Sequence, residues 1–399
     1  MPIARPSWRG ALFSVPLACL ALHSARGEDN PTARALEFGD ACRRSDQAEV
    51  EQTFKNGAID VNAGNAKTGD TALHWAVRGP ASKGAARRAI VALLLEHGAN
   101  PNALNRELET PLYCAIAAKA DEALLTLLLD HGADINAEAL SRWHPSPRHR
   151  GAPIHQAAAA LDVPILKFLL AHKANVSTTY NLNADSALMA IFGSSVEGDI
   201  RDQDFTSEKS RGAAAQIMTL LLDAGADVQY RNKLGQTALH WAARGNHLQC
   251  IRELLSRGAD PTALSEDGRC ALHFAAANAK YHDRRVFEAL LSNKKLSINQ
   301  RDEKGDTPLH VAVRAQNGDA IESLLLLGAE TGIPNKQHQI PLDLPEASAL
   351  KESIRDMLER YTTRPETEPP LGTPPIQIVP RRPRPQARNG SDAASALRS

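Results

Sequence analysis

The stretch Gln236-Thr237-Ala238-Leu239-His240-Trp241-Ala242-Ala243, followed by Cys250-Ile251-Arg252-Glu253-Leu254-Leu255 and Gly258-Ala259-Asp260, recurs along most of the chain. It returns at Thr71-Ala72-Leu73-His74-Trp75-Ala76, Thr110-Pro111-Leu112, Ala271-Leu272-His273-Phe274-Ala275 and Thr307-Pro308-Leu309-His310-Val311-Ala312. Degraded copies start at Ala152, Ser186 and Ile340. A recurrence of roughly 33 residues or more means one supersecondary unit copied in tandem. The expected fold is all-α: a right-angled helix-turn-helix solenoid.

Each part of the unit has a physical reason. The Thr237 hydroxyl can cap a first helix, and Pro111 and Pro308 suit a first turn whose N–H has no partner. Leu248, Ile251, Leu254 and Leu255 return at helical spacing and give a second helix with one buried stripe. Gly258 stands where a left-handed residue ends that helix, and the polar, Gly-containing stretch before the next Thr reads as a tight turn. One unit is therefore helix, turn, helix and a projecting, β-hairpin-like loop.

This unit resembles the ankyrin repeat, whose Thr-Pro-Leu-His, alanines, leucine run and Gly-Ala-Asp are matched nearly in full at 231–263 and 301–333. The resemblance covers 63–361. It implies that His74, His240, His273 and His310 bond backbone in the adjoining loop. Tyr113, Met189 and Asp343 replace that His and should lose the tie, and the third and fourth repeats are expected to be the least regular. The resemblance also implies protein binding through loop tips and exposed positions of the inner helices. Carried over by position, it selects Arg106, Glu107, Lys233, Leu234, Gln236, Arg244, Glu266, Asp267, Arg269, Glu303, Lys304, Asp306 and Arg314. Trp75 and Trp241, at one shared position, are expected to pack between units.

The segments around the array differ in character. In 1–27, Arg5 and Arg9 precede an apolar run from Ala11 to Leu22 that is too short to span a membrane, and Ala25-Arg26-Gly27 fits a signal-peptidase site. The reading is a cleaved secretory signal, and hence a periplasmic or secreted protein; without cleavage it would be cytoplasmic. Residues 33–62 read as an N-terminal capping repeat, 63–333 as the array, 334–361 as a C-terminal cap and 362–399 as a disordered Pro/Arg-rich tail. Insertions at Pro80–Arg87, Gly193–Arg211 and Asn278–Arg284 are expected to project from one edge. Another, Glu138–Arg150, is basic with an exposed aromatic, and Arg142, Trp143, Arg148 and His149 make it a candidate contact hot spot.

Composition narrows the function classes. With 46 basic and 46 acidic side chains the chain has no overall field to draw it onto nucleic acid or an anionic membrane. No glycine-rich phosphate loop, His-Glu-x-x-His, Gly-x-Ser-x-Gly or regular metal-ligand spacing occurs, so neither catalysis nor a cofactor or metal is expected. The expectation is a noncatalytic, monomeric scaffold for protein partners of unknown identity, without stable membrane insertion. Alternatives are a dedicated inhibitor or protective partner of one enzyme or toxin, and an enzyme or effector using the 193–211 insertion. Cys114 and Cys250 occupy apolar repeat positions, and a Cys250–Cys270 disulfide is left open.

Overall fold

The computed structural model describes residues 31–57, 59–140, 150–180, 183–193, 207–278, 283–292 and 295–363. The expected signal at 1–27, the residues Arg142, Trp143, Arg148 and His149, the centre of the 193–211 insertion and nearly all of 362–399 lie outside them.

Helices come in consecutive pairs. The first pair is α1 (Pro31–Arg44) and α2 (Gln47–Lys55), followed by α3 (Ala72–Val77) with α4 (Gly84–Glu96), and α5 (Pro111–Ala117) with α6 (Glu122–Asp130). Next come α7 (Pro153–Ala159) with α8 (Val163–Ala171), α9 (Ala187–Ala190) with α10 (Glu208–Asp223), and α11 (Ala238–Arg244) with α12 (Leu248–Ser256). The series continues with α13 (Ala271–Ala276) and α14 (Arg284–Leu291), and then α15 (Pro308–Arg314) and α16 (Gly318–Leu326). Two short 3-10 turns, Pro341–Asp343 and Pro345–Ala349, and helix α17 (Glu352–Thr363) close the array. First helices stack on first helices, as α3 on α1 and α13 on α11, while α12, α14, α16 and α17 stack in the second layer. This is the solenoid that the repeat demands.

The core runs the length of the stack between the two layers. Leu73, Leu112, Ile154, Leu188, Leu239, Leu272 and Leu309, one from each first helix from α3 to α15, are all buried, and the alanines beside them let the helices approach closely. Second helices contribute Leu94, Leu128, Leu169, Leu221, Leu254, Leu290 and Leu324. Gly258 ends α12 with φ +90°, as its place predicts. At the C-terminal end Leu358 of α17 is buried, with Ile354 and Met357 packed beside it. At the N-terminal end Phe38, Ala41, Cys42 and Val50 are buried, whereas Leu36 is exposed.

Two expectations about the edges change. Pro80–Arg87 stands out only in its first half: Pro80–Lys83 is exposed, with Ala81–Lys83 in a 3-10 turn, whereas α4 starts at Gly84 and Arg87 is buried and donates to the Gly79 carbonyl at 3.1 Å. Ala85 and Ala86 favour helix strongly enough to extend α4 backwards over the insertion. Likewise Glu208–Arg211 forms the first turn of α10, with the Ser207 hydroxyl accepting the Ser210 N–H. Glu138–Arg150 rests on a short antiparallel pair, β1 (Ala139–Leu140) with β2 (Arg150–Gly151), and a similar pair, β3 (Thr179–Tyr180) with β4 (Asp185–Ser186), precedes α9. Cys42, Cys114, Cys250 and Cys270 are free and buried, so Cys250 and Cys270 do not pair.

Candidate binding face

The loops before α5, α11, α13 and α15 are closed by a polar residue five positions ahead of the cap, Asn105, Asn232, Ser265 and Asp302, and the loop before α3 by Asn65, six ahead. Asn232 Oδ1 accepts the N–H groups of Leu234 and Gln236, and Asp302 Oδ1 accepts those of Lys304 and Asp306. Each tip then leans on its neighbour through one backbone bond. Arg106 N–H donates to Thr68, Lys233 to Asn183, Glu266 to Leu234, Glu303 to Asp267 and Lys336 to Lys304, at 2.8–3.0 Å. The tips thus form rows running along one edge of the array. Gly268, at φ +74°, shows how close the rows are: a Cβ there would lie 2.8 Å from the Glu303 nitrogen.

The histidines anchor these loops to the helices. His240 Nδ1 accepts the Thr237 N–H at 2.9 Å, which leaves Nε2–H to donate to the Ala263 carbonyl at 3.0 Å. His74, His273 and His310 make the same bond to Glu109, Asp306 and Gln339, and His155 makes it to Thr178. The expected tie is therefore present, and the cap has a second member. Thr237 Oγ1 lies 2.9 Å from the same Nδ1, so ring and hydroxyl share the cap wherever Thr and His occur together. At Thr110, where Tyr113 replaces His, the hydroxyl caps alone and accepts the Tyr113 N–H at 3.2 Å. Burial pushes His155 and His240 down to about 4, only partly offset by the carbonyls they face.

Buried carboxylates stitch one unit to the next. Asn105 Nδ2 donates to Asp70 at 3.0 Å, Asn232 Nδ2 to Asp185 at 2.6 Å and Asn335 Nδ2 to Asp306 at 2.9 Å. Asp306, expected from its position to contact partners, is fully buried. Its carboxylate takes Arg314 Nη1 at 2.6 Å as well as Asn335, which ties half-buried Arg314 to the fold. Because the residue immediately before the cap points along the helix rather than off the tip, its charge is used inside the fold.

The other sequence-derived residues divide by exposure. Arg106, Glu107, Lys233, Glu266, Asp267, Glu303 and Lys304 are exposed on the tips. Leu234 and Gln236 are half-buried, and half-buried Arg269 is held by Asp267 at 3.2 Å and Asp302 at 3.4 Å. Arg244 is half-buried over the Trp241 ring, 5.7 Å from its centroid. Trp241 is buried as expected, while Trp75 is half-buried against Gly39, with Arg43 5.8 Å from its ring centroid. Exposed Lys336 and Gln337 continue the tip row, although the family positions carried over above do not reach them. A signal for them exists, since Asn335-Lys336-Gln337-His338-Gln339 repeats the loop at Asn232–Gln236.

A family model described as ankyrin repeats matches residues 39–139, 209–302 and 263–335, together more than half of the chain. The chain belongs to the ankyrin repeat family. The ankyrin match skips 140–208, which holds the degraded copies starting at Ala152 and Ser186 and where α9 shrinks to four residues although the helix pairs continue. Among solved structures the chain is similar to one titled the crystal structure of the ankyrin repeat domain of Bcl-3, a unique member of the IkappaB protein family. That likeness has 22% identity and a TM-score of 0.48, and covers 66% of this chain and 98% of the other. As an ankyrin array the chain is built as a protein-interaction scaffold.

Proposed function

We propose that this chain is a noncatalytic scaffold that recognises partner proteins through its loop tips and the exposed face of its first helices, outside the cytoplasm. The observation that carries the reading is the row of tips joined by backbone bonds from Leu234 through Glu266 and Glu303 to Lys336. Such a row presents charged side chains on a backbone already ordered before binding, which lowers the entropy lost on association.

The test is capture of partners from native envelope and culture extracts by the full chain, beside a variant with Arg106, Lys233, Glu266 and Lys304 reversed in charge. Exposed charges contribute little singly, so the four reversals together should weaken the captured complex by about tenfold or more. A partner held equally by both proteins would remove the tips as the contact surface. Export rests on the N-terminal pattern, and predicts that the native protein isolated from cells begins near Glu28. Intact Met1 in mass spectra would overturn it.

A further inference from the structure

In five tips the residue after the closing side chain donates its N–H to the tip before: Arg106, Lys233, Glu266, Glu303 and Lys336. In the first tip the corresponding residue, after Asn65, is Ala66. Among the described residues no tip stands ahead of it, and the N–H of exposed Ala66 has no acceptor. The next N–H, that of Lys67, is already taken by Asn65 Oδ1 at 2.8 Å. The ladder therefore ends in one open rung.

Ala66 borders a cavity of about 400 Å³ whose apolar side is Leu36, Phe38 and Trp75. Leu36 is 47% exposed there, and Trp75 is half-buried, whereas Trp241, at the same repeat position with a tip ahead of it, is 5% exposed. The lining also holds Asp40, Asp60 and Asp70 against one cation, Lys67, and Asp70 is already paired with Arg78. Asp40 meets Arg43 at 3.3 Å with both side chains half exposed, a pair weak enough to exchange, and Asp60 has no ion pair among the described residues. An occupant must therefore bring a backbone carbonyl, a large apolar side chain and a cation.

We propose that this cavity takes the Ile376–Val379 segment of a second copy of the chain. Ile376, Ile378 and Val379 are the only Ile and Val residues of 364–399, and they stand between Pro375 and Pro380, with Arg381 and Arg382 directly after. A β-branched run ahead of a proline favours an extended backbone, which can offer a carbonyl to Ala66 and one isoleucine to the cavity while an arginine meets Asp40 or Asp60. Reach excludes the chain's own segment. The Tyr361 carbonyl accepts the Thr331 hydroxyl at 3.3 Å, which holds the end of α17 at the far end of the array. From Thr363 to Ile376 is 13 residues, about 45 Å fully extended, whereas α17 stands seven units beyond α3, about 56–70 Å along the stack. The contact is head to tail, so each copy receives one segment and gives one. It goes beyond the scaffold reading, uses none of the reversed tip charges, and replaces the monomer expected from the sequence with self-association.

The test adds an acetylated peptide of residues 373–385 to the isotope-labelled full chain carrying Ile376→Ser and Ile378→Ser, two changes outside the helical array that remove the competing segment. The Trp75 indole resonance, assigned by its loss in Trp75→Phe, should shift saturably, and exchange of the Ala66 amide should slow at least fivefold while that of Lys67 stays unchanged. Leu36→Lys, at an exposed position of α1, should weaken binding at least tenfold, and so should a peptide with both isoleucines replaced by serine. In sedimentation velocity the wild-type chain should grow with concentration and the double-serine chain should not. Unmoved Trp75 and Ala66 signals, equal binding of the serine peptide, or concentration-independent sedimentation of the wild type would each overturn the proposal. A Trp75 shielded at every dilution of the wild type would also overturn it, by placing the segment on its own chain. Partners captured alike by wild type and the double-serine variant, without self-association, would sink this inference and leave the scaffold reading standing.

Discussion

Acidification from pH 7 to pH 4.5 is expected to remove about 7 kcal/mol of stability, as much as many whole domains possess. The imidazoles of His155, His240 and His247 sit at about 4 in the folded chain because burial disfavours the charged ring. In the unfolded chain they titrate near their ordinary value of about 6.5. Their folded values are lowered, so the stability they contribute is fully present above about 6.5 and is lost as pH falls through about 4. Over that window each proton taken up only by the unfolded chain costs about 1.4 kcal/mol per pH unit. His74, His273 and His310 are shifted in the same direction, also first by burial. The geometry opposes protonation at His240, because Nδ1 already accepts an amide N–H and an added proton would face that donor. Urea midpoints followed by circular dichroism at pH 7, 6, 5 and 4.5 measure the effect. A midpoint that does not move between pH 7 and pH 5 would contradict the buried, neutral assignment of these rings.

Leu239→Ala should cost about 2–5 kcal/mol, the range for emptying a fully packed leucine site. Leu239 is 1% exposed in the interior of α11, with Leu254 of α12 among the other buried residues of the core. Position matters as much as size. In an array stabilised by nearest neighbours, a weakened central unit uncouples the two flanks, so unfolding should broaden or split into two transitions. Equilibrium urea unfolding checks both parts, and a single sharp transition within about 1 kcal/mol of wild type would refute the assignment.

What can be read from the sequence follows from how each residue acts. Periodic leucines and alanines act through the repeat itself, so Leu239 and its counterparts Leu272 and Leu309 are legible as core from their spacing alone. The histidine ties are legible through the resemblance to the ankyrin unit, which places a repeated His against a repeated loop. Asp306 escapes for a geometric reason: its pattern position looks like loop, but its side chain turns inward to Arg314 and Asn335. The Thr caps are half legible. A hydroxyl ahead of a helix reads as a cap, but the share taken by the imidazole depends on the orientation of the ring. Pro80–Arg87 is an insertion in sequence whose second half becomes an extension of a helix, a choice made by Ala85 and Ala86 and by the burial of Arg87. The open rung at Ala66 emerges only when one column is compared across units rather than read along the chain.

The ladder of tips sets a fixed measure. Stacked helices stand about 8–10 Å apart, so side chains at Lys233, Glu266, Glu303 and Lys336 repeat at roughly that spacing on a backbone whose rungs are hydrogen-bonded to each other. A partner that offers matching groups at the same pitch meets every rung once the first is engaged, and each further contact forms within one complex rather than from solution. A partner with the right chemistry at another pitch can satisfy one rung and must strain or forgo the rest. Under the proposed scaffold reading, selection is therefore a matter of metre: the array would test the distance between a partner's groups as strictly as their charge.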